Sequence, residues 1–432
     1  MEEIFNNIVS SGSEDLTADN DNNINNNLNF DFNLNKKLAL VNANIHTAKG
    51  TVSALVIEAG RISWLGNMSE LNLSDDEFNV IDLDGRTVLP GFCDAHAGLL
   101  KWALSEEGVG LEDLSGLDYE LLAKLFKVYS KKAANMGVTE IWTDDILVFN
   151  NNFNDMQNFF ASQVATSEYM PIRLRNYINI NNYDELIEFI NSGFSALDGV
   201  PFCHVGPVKI LCGGVNPEVI NKLIYTAHLA GLQIAAQADS GAALNMCLDA
   251  FENAVNARAL NTRHLIIHAQ AADLTQLKRM RNLRLGAVIE PEMAVRSDAG
   301  CRWREMLRSG ITFCAGSGAG LNSYSDNKKA NINPIYGLYY AVNRQELDGG
   351  AMETHNALEC LSVAEAIEAY TYSAAWNCNN ERRRGEIALW RDADLVILDK
   401  DPFKVEPDEL KNLSVYMTIC AGKIIKPENL EN

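Results

Sequence analysis

Lys209 and His268 are the residues whose type and placement best suit proton transfer, and carboxylates accompany them. Each lies in an apolar strand candidate, Val208–Leu211 and Leu265–Ala269. Asp144, Asp145, Asp239, Glu290 and Glu292 fall near the ends of comparable strands, so the fold would gather all of these groups in one inward-facing pocket. Burial lowers a lysine pKa and can bring it into the range useful for acid–base work without a metal. On this reading Lys209, His268 and Asp239 carry the chemistry, and Asp144, Gln237 and Glu290 contact substrate. The alternative is that Lys209 only satisfies a buried carboxylate. Arg173 and Arg175 alternate along another strand candidate. Arg175 is therefore a candidate receiver of a substrate carboxylate, with a buried structural pairing as the alternative.

Other reactive-looking residues read as structural. Gly213-Gly214 and Gly316-Ser-Gly-Ala-Gly320 are glycine-rich turns of the kind that cradle phosphate through backbone N–H groups, but neither holds a basic residue. Alternation from His96 and Lys209 turns Cys93 and Cys212 toward the helices, whereas Cys314 points inward below the mouth as core filling. His46, His204, His228, His264 and His355 lack ligand-like spacing, and Arg382-Arg383-Arg384 reads as a solvated corner.

The elements that must position these groups alternate strand with helix. Apolar strand candidates fall at Val88–His96, Val138–Thr143, Ile172–Ile178, Val208–Leu211, Leu232–Gln237, Leu265–Ala269, Leu285–Ile289 and Ile311–Ala315. Asn216-Pro217 opens a helix that stops at Gly231, another helix runs from Asn182 to Gly193, and Ser362–Glu365 is a capping box for a helix to about Trp376. Eight such units predict an α/β fold, a (β/α)8 TIM barrel over residues 88–384, with its site at the C-terminal strand ends. Short β segments at 37–87 and 385–428, including Gly385–Leu389, predict a small β-sandwich assembled from both chain ends. Residues 1–36 read as a disordered, acidic, Asn-rich leader.

Several blocks resemble the amidohydrolase superfamily, in its amidohydrolase 3 (YtcJ-like) branch. Val88-Leu-Pro-Gly-Phe-Cys-Asp-Ala-His96 is similar to the first barrel strand, and Arg263-His-Leu-Ile-Ile-His-Ala-Gln270 to the sixth. Gly316-Ser317, Asn333–Arg344 and the tail from Ala364 to Pro402 complete the resemblance. It implies a hydrolase of non-peptide C–N bonds with a metal centre in the barrel mouth. Carried over by position, the metal ligands His96, Lys209 and His268 are kept, while the remaining ligand positions hold Gly98, Gln237 and Gly318. The resemblance thus implies a degenerate centre: no cofactor, or zinc at a reduced site. The function expected is an amidohydrolase-fold protein other than a conventional metallohydrolase. A pseudoenzyme, a lyase, isomerase or cyclase using Lys209 and His268, and a single-metal hydrolase are the forms open to it.

Composition bounds the rest. The 432 residues carry 36 basic and 57 acidic side chains, a net charge of −21, which opposes binding to nucleic acid or anionic lipid. Nine dispersed cysteines without a C-x-x-C pair suit free thiols in the cytoplasm, and the N-terminus lacks a secretory pattern. The expected partner is a small molecule in the barrel mouth, with a homodimer as the family-level expectation. Residues Glu106–Leu117 and Asn322–Asn333 are candidate lid segments.

Overall fold

The structure is a computed structural model that describes residues 36–74, 76–109, 117–167, 170–194, 198–296, 300–321, 330–348 and 354–425. Residues 1–35 of the leader, and most of both candidate lids, lie outside the described residues.

Eight parallel strands, each hydrogen-bonded to the next in chain order, form the barrel. In order they are Phe92–Ala97, Val138–Thr143, Arg173–Asn179, Cys203–Leu211, Ile234–Gln237, Leu265–Ile267, Gly286–Ile289 and Phe313–Ala315, called strands one to eight below. The segment after strand eight closes the ring onto strand one: Gly318 N–H donates to the His96 carbonyl at 2.8 Å, and Gly98 N–H to the Ala319 carbonyl at 2.8 Å. That approach explains the glycines. A Cβ at Gly316 would lie 2.5 Å from the His96 nitrogen, and Gly318 and Gly320 adopt φ of 71° and 75°. The N–H groups of Gly316, Ser317, Gly318 and Ala319 are all spent inside the protein, so this turn offers no phosphate cradle.

The barrel interior packs Cys93, Ala95, Trp142, Tyr177, Ala235, Leu265, Ile267, Val288 and Cys314, with Ala374 and Cys378 below them. Cys314 points inward and Cys212 joins the outer helix-facing core, as alternation predicts. Cys93 does not face the helices. The register between strands one and two slips at Phe92/Cys93 and again between Asp94 and Ala97, which turns Cys93 and Ala95 inward while His96 still reaches the centre.

The helix signals act as local chemistry requires. The Asn216 side chain accepts from Glu218 N–H, Pro217 takes the first turn, and Pro217–Leu229 ends before Gly231, whose φ is 78°. The Ser362–Glu365 capping box is reciprocal, but its helix breaks at Thr371 into Val363–Tyr370 and Tyr372–Asn377.

Val88–His96 is two strands rather than one. Thr87–Pro90 pairs with Leu395–Leu398 in a six-stranded sheet, and the barrel strand starts after Gly91, where a Cβ would overlap the Thr139 side chain. That sheet runs in the order Lys423–Ile425, Val415–Cys420, Leu395–Leu398, Thr87–Pro90, Asn44–Thr47, Gly50–Val52, so it draws on both ends of the chain. A four-stranded sheet adds Arg61–Gly66, Ala54–Glu58, Lys37–Val41 and Phe78–Asp82. Leu38, Leu40, Leu55 and Ile57 from this sheet share a core with Ile45, Val88, Leu395, Ile397 and Ile419. Gly385–Leu389 forms no strand: φ is 83° at Gly385, and the following turn is pinned by Trp390 N–H on the Ile62 carbonyl and by Arg391 on Glu386.

Arg384 is not a solvated corner either. It is buried at the barrel floor, where Nη1 donates to Glu140 Oε2 at 2.7 Å and Nε to Asp392 Oδ2 at 3.1 Å. Arg173 grips Asp394 through two bonds of 2.8 and 3.1 Å. The helices of the described residues include none long and apolar enough to cross a membrane.

Candidate functional site

The C-terminal ends of six barrel strands converge on one continuous line of ionisable groups. Lys209 on strand four donates to Asp144 Oδ2, just past strand two, at 2.7 Å. On its other side its Nζ lies 2.9 Å from His96 Nε2 on strand one. His96 Nδ1 lies 2.6 Å from Glu290 Oε1, just past strand seven, and the same oxygen is 2.9 Å from His268 Nε2 at the end of strand six. His268 Nδ1 reaches Asp239 Oδ1, past strand five, at 2.6 Å. Gln237 steadies Asp239 with Nε2 3.3 Å from each carboxylate oxygen.

Proton bookkeeping makes the line self-consistent. An ammonium can only donate, so His96 Nε2 must accept from Lys209, which leaves Nδ1–H to donate to Glu290. His268 faces a carboxylate on each side and donates from both nitrogens, which is the imidazolium form. Asp144 also accepts from Asn179 Nδ2 at 2.7 Å and from Lys101 Nζ at 3.4 Å. Three cations, Lys101, Lys209 and His268, thus face three carboxylates, Asp144, Glu290 and Asp239.

Burial opposes the charge on His268, but Glu290 and Asp239 more than offset it and raise its pKa to about 9. His96 goes the other way: burial, and then the Lys209 charge, lower it to about 4. Burial likewise works against the charged forms of Asp144 and Glu290. Lys209 and Lys101 nevertheless hold Asp144, and His268 and His96 hold Glu290, well below the usual carboxylate range. Asp94 lacks such partners. Burial lifts it to about 7, although it accepts from Ser317 N–H and His96 N–H.

The His268 pKa is raised above its ordinary 6.5, so its contribution to stability is complete below about pH 6.5 and is lost as pH rises through about 9. His96 and His264 are depressed, to about 4 and about 3, so theirs is complete above about 6.5 and is lost as pH falls through those values. Urea unfolding measured from pH 4 to 9.5 should give a maximum near 6.5, and His268→Gln should flatten the alkaline limb.

The structure brings His96, Asp144, Lys209, Gln237, Asp239, His268 and Glu290 together. Arg175 does not reach the mouth: it sits four residues below Asn179 on strand three, fully buried, with Nε 3.4 Å from Glu140 and its guanidinium beside the Trp142 ring. Asp145 accepts from Leu100 and Lys101 N–H in the first turn of the helix Leu99–Glu106, and Glu292 accepts from Asn331 N–H. His228 and His264 bond to each other at 2.8 Å inside the helix layer. Sequence reasoning missed Lys101 and Asn179. Alternation from Arg175 through Tyr177 would have pointed Asn179 inward, and Lys101 interrupts the apolar run Leu99-Leu-Lys-Trp-Ala-Leu104.

His96, His268 and Glu290 each present a ligand atom within 4.8 Å of the others, and Glu290 Oε2 is buried with no hydrogen-bond partner among the described residues. Two imidazoles and a carboxylate are the number and kind of donors that a zinc ion takes while keeping a fourth position open. Lys209 Nζ stands beside this set, 2.9 Å from His96 Nε2, while it donates to Asp144. Beside strand one, a Cβ at Gly98 would meet the Lys101 side chain at 3.0 Å, so Lys101 fills the space next to that position.

An eight-stranded parallel barrel flanked by sheets from both chain ends, with histidines on strands one and six at its mouth, defines an amidohydrolase-type α/β barrel protein. The Amidohydrolase family model matches residues 178–426, and the chain belongs to that family. It is 28% identical over 223 residues to the putative amidohydrolase YtcJ of Bacillus subtilis, covering 49% of this chain and 40% of the relative. It is 25% identical over 209 residues to an N-substituted formamide deformylase of Arthrobacter pascens, covering 47% and 38%. The chain thus spans about two-fifths of the length of these two relatives. An imidazolonepropionase of Clostridium tetani is 22% identical over 413 residues, 86% of this chain and 90% of the relative. Among solved structures, an uncharacterized metal-dependent hydrolase from Pyrococcus horikoshii shares the fold with a TM-score of 0.69 at 18% identity, covering 86% of this chain and 99% of that one.

Proposed function

We propose that this chain keeps the amidohydrolase barrel as a small-molecule-binding protein whose mouth does not carry out metal-assisted C–N hydrolysis. The observation behind this reading is the Asp144–Lys209–His96–Glu290–His268–Asp239 line, in which both nitrogens of each imidazole and the lysine ammonium already have protein partners. A metallohydrolase needs open coordination and a group to take the proton of the attacking water. Positions 98 and 318 carry no side chain for either task, and φ of 71° at Gly318 would strain most residues placed there. Lys209 and His268 supply by ammonium and imidazolium the positive charge that buried carboxylates demand. Asp239, whose side chain is 55% exposed, is the end of the line that a ligand meets.

Elemental analysis of the purified full-length protein tests this. The expected result is metal well below one equivalent, and a urea midpoint that chelator does not move. One equivalent of zinc surviving dialysis overturns the reading. That outcome would favour a second one, a hydrolase with a single zinc held by His96, His268 and Glu290, which the spacing of those donors supports. There the bound metal would polarise the scissile carbonyl and acidify water, while Asp239 would orient the His268 ring through Nδ1–H. We place the protein in the cytoplasm, as its nine free cysteines suit a reducing compartment, and take a homodimer as the working assembly.

A further inference from the structure

Trp390 stands in the turn that returns the chain to the six-stranded sheet, with φ of 67°. A bulky side chain rarely adopts that backbone conformation and is strained when it does. The residue is 67% exposed and the neighbouring Leu389 50%. Among the described residues the Trp390 side chain takes part in no hydrogen bond or ring contact. The turn therefore carries strain and exposed apolar surface that the rest of the described fold does not offset.

The same corner is basic, against the −21 charge of the whole chain. Arg61 and Arg383 are exposed and converge on Asp392 Oδ1, at 3.7 and 3.2 Å, two residues past Trp390. Arg382 is exposed beside Arg383. The acidic groups here are already paired: Asp392 is buried against Arg384, Glu381 binds Arg263 and Glu386 binds Arg391.

The chain enters the fold nearby. Lys37, Glu58 and Arg61 stand side by side on three adjacent strands, and Asp392 bridges Arg61 from the far side. At ~4.8 Å per strand, the turn lies about 15 Å from Lys37. Residues 1–35, outside the described residues, hold seven acidic and no basic side chains. Within them Leu28, Phe30, Phe32 and Leu34 alternate with Asn29, Asp31 and Asn33. Extended at ~3.3 Å per residue, those seven residues cover about 23 Å, enough to pass Arg61 and reach Trp390.

We infer that this corner is a docking surface for the chain's own N-terminal segment. Phe30 and Phe32 lie against Leu389 and Trp390, and the segment's carboxylates, Asp31 nearest, face Arg61, Arg382 and Arg383. Tethering supplies an effective concentration of about millimolar, so weak contacts suffice to hold the segment. None of these residues belongs to the barrel mouth, so the inference is independent of what the mouth binds.

Hydrogen–deuterium exchange of the full-length protein, read by mass spectrometry, tests it. Amides of residues 28–34 are expected to exchange at least about tenfold more slowly than in a synthetic peptide of residues 1–35. Trp390→Gly should return them to within about twofold of the peptide. Sodium chloride at about 1 M, where the Debye length is about 3 Å, should speed them at least about threefold. Glycine accepts a positive φ and loss of an exposed ring leaves no cavity, so Trp390→Gly should keep or raise the urea midpoint. That separates loss of docking from loss of fold. Exchange at the peptide's rate in the unaltered chain overturns the inference, as does protection unchanged by Trp390→Gly or by high salt. Protection of the turn at 389–391 that grows with protein concentration, while residues 28–34 stay unprotected, would assign the corner to a second copy and also overturns it.

Discussion

Glu290→Gln is expected to lower stability by about 3–5 kcal/mol, the range for removing one partner of a buried ion pair. The carboxylate is fully buried, and its Oε1 serves both His96 and His268. Glutamine keeps the shape but not the charge, so the His268 imidazolium is left with Asp239 alone. The new amide group would also occupy the place of Oε2, which has no partner among the described residues, and so adds two buried donors without acceptors there. The same variant should shift a titration. Glu290 is the strongest influence raising His268 against burial, so the His268 pKa should fall from about 9 toward or below 6.5. Urea unfolding at pH 7 measures the first effect, and NMR titration of the His268 ring the second. A loss under 1 kcal/mol with His268 still near 9 would show that the two rings do not depend on Glu290.

The barrel is legible because its signals are local and repeated. Apolar runs of strand length are punctuated by caps such as Asn216-Pro217 and Ser362–Glu365, which need only neighbouring backbone groups to act. The errors fall where one residue answers to a distant partner. Gly91 splits the first run because Thr139 crowds it, and the slip near Asp94 reverses Cys93, neither of which alternation alone can register. The site was half legible for the same reason. Lys209, His268 and Asp239 stand at strand ends in a pattern that points them inward. The role of Glu290, accepting from two rings at one oxygen, depends on where strands one and six come to lie. Lys101 was hidden because a lone lysine in an apolar helix ordinarily snorkels to water, and only the approach of Asp144 keeps it in.

Arg175 and Arg384 show how the floor of the barrel differs from its mouth, and Arg384→Met carries the other large expected effect, again about 3–5 kcal/mol. Three arginines, 173, 175 and 384, balance Glu140, Asp392 and Asp394 where the end sheets meet the barrel. Burial alone would push Glu140 up, but Arg384 and then Arg175 bring it down to about 2. A depressed carboxylate contributes stability that is complete above about pH 4.5 and is lost as pH falls through about 2. Methionine fills much of the volume of arginine but leaves the three buried carboxylates to the buried Arg173 and Arg175, with the more exposed Arg383 and Arg61 reaching Asp392 alone. Among the described residues Glu140 then keeps the 3.4 Å contact from Arg175 and a bond from Trp142 Nε1, so its pKa should rise and the variant should unfold at milder acid. Asp392 loses Arg384 as well, which loosens the turn that returns the chain to the six-stranded sheet. The double variant Arg384→Met, Glu140→Gln removes one charge of each sign and should recover part of the loss. Urea unfolding of the single and double variants at pH 7 and pH 4 gives the coupling directly. Additive losses would mean that Arg384 does not act through Glu140.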